Sequence, residues 1–175
     1  MKNIVIYYSR KGNNNYLARK IANDLNCDIE AIRPNVDWPL FYWLNLNLGI
    51  RKTRSDISNY DRVLLVGPIF MGRFIVPLKA FCKKYKANIN KLVFVTCCGS
   101  SYEKKDEKFG HGLVFNEVQG LMKEKCEHCE AFPILLVVPE DKREDGELIM
   151  KTRLLDDNFV GEIKERYDRF LASMN

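Results

Sequence analysis

The segment Ser9-Arg10-Lys11-Gly12-Asn13-Asn14-Asn15 places a hydroxyl, two cations, a glycine and three amides in consecutive positions. It lies between a β-branched and aromatic run at 3–8 and a stretch of helical periodicity through Leu17, Ala18, Ile21, Ala22 and Leu25. A strand that turns straight into a helix exposes the unpaired N–H groups of the first helical turn. Hydroxyl, amide and cationic side chains around them make an anion site, and a phosphate fits it. A helix cap alone needs only one such residue. Two further segments carry related chemistry. Pro68-Ile69-Phe70-Met71-Gly72 joins a rigid turn and apolar side chains to a glycine that permits close approach of a ligand; it is equally compatible with a tight strand-to-helix turn whose Ile69 and Phe70 face the core. Thr96, Cys97, Cys98, Gly99 and Ser100 offer hydroxyl and N–H groups, with the Tyr102 ring close by for stacking.

Neither a catalytic side chain nor a metal site is assigned. Cys97-Cys98 reads first as two small residues at a crowded turn, the alternative being a thiol that modulates a bound group. Cys126-Glu127-His128-Cys129 has the C-x-x-C spacing of a metal or a redox site, but a zinc site usually needs a second ligand pair and His111 is the only other histidine. A structural role in a helix-to-strand turn is expected for it. Cys27 and Cys82 read as small core hydrophobes.

The elements that must position the loops follow from hydrophobic periodicity. Residues 3–8, 28–33, 62–67, 91–97 and 132–138 read as five strands. The helix after the first loop is followed by others carrying Leu78, Phe81, Cys82 and Tyr85; Leu113, Val114, Val118, Leu121 and Met122; and Phe159, Ile163, Tyr167, Phe170 and Leu171. Strands alternating with helices predict an α/β fold, a doubly wound parallel sheet of order 2-1-3-4-5 with helices on both faces. Ligands of such sheets sit beyond the carboxyl ends of the strands where the winding reverses, here among the three loops.

At this point three segments carry a resemblance. YYSRKGNNNYLARKIA resembles the phosphate-binding signature of flavodoxins, in which hydroxyl residues alternate around a glycine; Ser9 and Gly12 match, while Lys11 and Asn14 stand where hydroxyls are usual. YDRVLLVGPIFMGRFIVPLKAFCKKY resembles the family's third strand, flavin-flanking loop and next helix, and KLVFVTCCGSSYE its fourth strand and second flavin loop. The resemblance implies a flavodoxin-like fold and flavin mononucleotide (FMN) as cofactor. Its phosphate would lie in the first loop and its ring between the second and third, with the Met71–Gly72 peptide reorienting toward the flavin on reduction.

Composition limits the rest. With 175 residues, 46% of them hydrophobic, and no linker-like stretch, a single flavodoxin-like domain over 1–175 is expected. No leader or membrane span is apparent, so a cytoplasmic protein with reduced thiols is expected. Lys and Arg are scattered among acids, which argues against a nucleic-acid stripe. The ends of the first and third strands lack the acids of a response regulator, and the first loop lacks the cysteine of a low-molecular-weight phosphatase. No G-x-x-x-x-G-K-[ST] or G-x-G-x-x-G is present. Residues 37–58 form an aromatic-rich insertion, read as a helix covering the sheet; alternatively its aromatics wall a substrate pocket or make a homodimer contact. One-electron flavodoxin carriers are usually strongly acidic, and a net charge of +5 matches that poorly. The expectation is therefore an NAD(P)H-dependent reductase passing electrons through FMN to a quinone-like or other small acceptor. The alternatives are a one-electron carrier between redox partner proteins and a flavin-free interaction module.

Overall fold

In the computed structural model the described residues are 1–10, 12–38, 41, 44, 46–70, 72–99 and 110–174. Chain order is β1 (Asn3–Tyr7), α1 (Asn13–Asp24), β2 (Asp28–Ala31), β3 (Arg62–Val66), the short β4 (Ile69–Phe70) and β5 (Arg73–Phe74), α2 (Val76–Tyr85), β6 (Lys91–Cys98), α3 (His111–Met122), β7 (Cys126–Pro133), α4 (Gly146–Lys151) and α5 (Glu162–Met174). The main sheet runs β2-β1-β3-β6-β7 with every neighbouring pair parallel, which is the predicted order 2-1-3-4-5. β4 and β5 form a separate antiparallel hairpin.

The strands are apolar throughout because both faces of the sheet are covered, and successive side chains serve different faces. Ile4, Ile6, Val63, Leu65, Leu92 and Phe94 pack with Leu78 and Phe81 of α2 and Val114 and Val118 of α3. Val5, Leu64, Val66, Val93 and Val95 pack with Leu17 and Ile21 of α1 and Ile163, Tyr167 and Phe170 of α5 on the opposite face. Pro77 sits in the first turn of α2, where its missing N–H removes no helical bond.

The fifth strand departs from the sequence reading. It runs Cys126–Pro133, and residues Ile134–Val137 of the expected strand form a 3₁₀ turn instead. Cys126-Glu-His-Cys-Glu looks polar, yet its backbone pairs with β6, while Pro133 precedes the turn that ends the ladder. The C-x-x-C pair therefore lies in a strand and not in a helix-to-strand turn. In the insertion, Leu46 to Asp56 run without regular structure up to a 3₁₀ turn at Ile57–Asn59, and Pro34 and Ile50 bridge antiparallel. Ile50 and Ile57 are buried, whereas Trp38, Leu44, Leu46 and Leu48 are about half exposed. Leu40, Tyr42 and Trp43 lie outside the described residues.

The amino end of the sheet is tied by Arg62, almost fully buried. Its Nε donates to Glu127 Oε2 at 2.7 Å, one terminal nitrogen to Glu127 Oε1 at 3.1 Å, and the other to the Met174 carbonyl at 2.6 Å. One side chain thus joins β3, β7 and α5. Hydrogen bonding from Arg62 holds the Glu127 carboxyl below its ordinary pKa, and Lys91 adds to the effect. A depressed carboxyl contributes stability in full above its unfolded value of about 4.3 and loses it as pH falls through the lower folded value. Urea titrations of Glu127→Gln should show a loss of about 1 kcal/mol at pH 7 and a smaller drop in stability between pH 5 and pH 3 than in the unmodified chain.

Candidate functional site

Because β1, β3 and β6 are adjacent in the sheet, the loops at their carboxyl ends emerge side by side. The first loop enters α1 through Gly12, whose φ of 100° is in the region that glycine alone adopts easily. No side chain caps α1, and its first helical bond is from Tyr16 N–H to the Gly12 carbonyl at 2.8 Å. Ser9 Oγ accepts from Gly12 N–H at 3.3 Å and Arg10 lies exposed beside it. An uncapped helix start next to a hydroxyl and a guanidinium suits an anion.

The three asparagines are engaged with protein. Asn14 is buried; its Nδ2 donates to the Cys97 carbonyl at 3.1 Å and its Oδ1 accepts from Cys97 N–H at 2.8 Å. This two-way pairing locks the start of α1 to the end of β6. Asn13 does the same for the chain after α4, donating to the Thr152 carbonyl at 3.3 Å and accepting from Leu154 N–H at 3.1 Å. Asn15 Oδ1 accepts from Arg19 Nε at 3.1 Å. Asn13 and Asn14 are thus committed to main-chain partners elsewhere in the chain.

In the second loop Ile69 and Phe70 pair with Phe74 and Arg73 across the β4–β5 hairpin. Ile69 packs against the core and Phe74 is buried edge-on to Phe94, their centroids 5.3 Å apart, whereas Phe70 is 45% exposed. The hairpin thus offers an aromatic surface at the carboxyl end of the sheet. Upstream of Pro68, a Cβ on Gly67 would lie 2.6 Å from Leu78 Cδ1, so any larger residue there would have to displace the Leu78 side chain of α2. In the third loop Thr96 is fully buried and Cys97 nearly so, and burial pushes the Cys97 thiol well above its usual pKa. A protonated, enclosed thiol is a poor nucleophile. Cys98 is half-buried, and Gly99 faces Ile149 of α4. Lys11, Met71, Ser100 and Tyr102 lie outside the described residues.

Two contributions to this end of the molecule were not anticipated from the sequence. Asp37, at the start of the insertion, accepts from Tyr8 Oη at 2.8 Å and lies 3.7 Å from Arg10 Nε. The segment after α4 closes against the first loop through Asn13 and through Tyr16 Oη, which donates to Asp156 Oδ1 at 2.8 Å. Such long-range polar contacts leave no periodic signal in a sequence.

A family profile described as flavodoxin domain matches residues 45–133. No curated protein matches the chain. Among solved structures, a flavoprotein from Lactobacillus acidophilus NCFM in complex with FMN superposes with a TM-score of 0.61 at 15% identity, over 74% of this chain and 92% of that one. A protein of Bacteroides eggerthii DSM 20697, provisionally described as a flavoprotein, gives 0.63 at 16% identity over 98% and 96%. The free form of the L. acidophilus protein gives 0.53 at 15% over 83% and 96%. At these identities the likeness is one of fold.

Replacing Asn14 with Leu should leave the buried Cys97 N–H and carbonyl unpaired and lower stability in urea by about 2–3 kcal/mol. Hydrogen exchange at the Cys97 amide should accelerate in the variant; unchanged exchange would show that the pairing is not what holds the two loops.

Proposed function

This chain belongs to the flavodoxin domain family, and from that membership we propose that it is a redox protein holding FMN at the carboxyl end of its sheet and reducing it with NAD(P)H for delivery to a quinone-like or other small acceptor. The observation that carries the FMN assignment is the convergence of an uncapped α1 start, an exposed Phe70 and the main chain of Thr96–Gly99 on one end of the molecule. These residues fit the group. A phosphate needs N–H donors and positive charge, supplied by the start of α1, Ser9 and Arg10. A flat, mostly apolar ring needs an apolar wall with main-chain donors at its polar edge. FMN, when bound, supplies the redox chemistry; the protein supplies position and field.

The reductase reading is supported by the distribution of charge. Arg10 follows β1, Arg33 follows β2, and Arg73 lies in the hairpin after β3; all three are exposed at the carboxyl end. Arg51 N–H bonds to the Arg33 carbonyl at 2.8 Å, which brings exposed Arg51 and Lys52 to the same edge. A dinucleotide donor carries phosphates and is drawn to such a rim, which would also attract an anionic reduced cofactor. Phe70 and the hairpin keep apolar surface available for a planar acceptor.

The test is an anaerobic titration of the FMN-loaded protein with NADH and then NADPH. Bleaching of the flavin's visible band by either nucleotide is the expected result. Resistance to both, with electrons passed singly to a redox protein, would replace the reductase reading by the carrier one. Arg73→Glu should raise the KM for the effective nucleotide about tenfold while FMN affinity stays within a factor of two.

A further inference from the structure

Away from the proposed flavin site, β7 carries a feature that the redox reading leaves unused. Its ladder with β6 is interrupted: Cys126 pairs with Leu92, but the next partner of β6, Val93, pairs with His128, so Glu127 is an extra residue in the strand. In an unbroken strand, residues three apart face opposite sides of the sheet. The extra residue cancels that alternation. Cys126 then stands opposite Leu92 and Cys129 opposite Phe94, two positions on one face of β6, and both thiols pack on the α2–α3 side of the core. The sulfur atoms lie 3.7 Å apart in a thiol–thiol hydrogen bond.

The two thiols are not equivalent. The hydrogen bond from Cys129 lowers the Cys126 pKa, aided by the nearby His128, whose own pKa is raised by Glu130. The same hydrogen bond and burial raise that of Cys129. Neither side chain is fully enclosed, both being only half-buried. Cys82, close to Cys126, is fully buried, and burial pushes its thiol up to about 12.

We propose that Cys126 and Cys129 form a thiol–disulfide exchange centre, separate from the flavin site, that reacts with small disulfides of the glutathione type. Cys126, as thiolate, attacks one sulfur of the disulfide; the S–S bond breaks, a mixed disulfide forms on Cys126, and the first leaving thiolate takes up a proton. Cys129 gives up its proton and attacks the Cys126 sulfur, closing the Cys126–Cys129 bond and releasing the second thiol. Two protein thiols are oxidised by two electrons and one disulfide is reduced to two thiols. Cys126 is the entry residue and Cys129 the resolving one, and the bulge at Glu127 is what brings them together.

The protein as purified, equilibrated with excess oxidised glutathione and then denatured, should show its titratable thiols fall from six to four, with peptide mapping placing the bond between Cys126 and Cys129 and dithiothreitol restoring all six. Cys129→Ser should retain one glutathione on Cys126 as a stable mixed disulfide. Cys126→Ser should retain none on Cys129. Six thiols remaining after equilibration, a bond mapped to any other cysteine pair, or equal glutathione retention by the two variants would overturn the proposal. The readout needs no flavin, so its outcome is independent of the FMN assignment.

Discussion

One buried amide, that of Asn14, holds the carboxyl end of the sheet together. Its carbonyl and amino groups satisfy both backbone groups of Cys97, 83 residues further along the chain. Leaving buried backbone groups without partners costs about 1–3 kcal/mol each, so the pairing fixes the start of α1 against the end of β6 and does not merely decorate it. The first and third loops therefore cannot separate without exposing these groups. Asn13 repeats the device toward the chain after α4, and Asp37 joins the insertion to the first loop through Tyr8 and Arg10. The loops that would grip a ligand are fastened by side-chain amides and carboxylates, while apolar packing holds the sheet beneath them.

That division of labour explains the charge pattern. The amino end of the sheet neutralises its buried Arg62 with Glu127. At the carboxyl end, Arg10, Arg33 and Arg73 lie exposed, where positive charge favours an anionic partner.

Much of this was legible in the sequence, for identifiable reasons. β1, β3 and β6 are continuous apolar runs because they are buried on both faces, and the change from that pattern to helical spacing marks where the loops begin. β7 escapes the sequence reading because its amino half carries Glu127, His128 and Glu130: Glu127 is satisfied by Arg62 and Lys91 and Glu130 by Arg166, all from elsewhere in the chain, while His128 pairs with Glu130 within the strand. Only Ala131 to Pro133 are buried there. The apolar run that followed, Ile134–Val137, folded as a 3₁₀ turn after Pro133. The asparagines of the first loop read as donors to a ligand, but composition could not show that Asn13 and Asn14 bond to distant backbone. Nor could C-x-x-C spacing reveal a bulge that places both thiols on one face.

The proposed site grips a flavin by its phosphate through the backbone of the α1 start. Equilibrium titration with FMN and with riboflavin, which share the ring and differ in the phosphate, tests it most directly. A phosphate held by several charge-assisted hydrogen bonds should make FMN bind at least about a hundredfold more tightly, equivalent to about 2.7 kcal/mol. Equal affinities for the two flavins would contradict it.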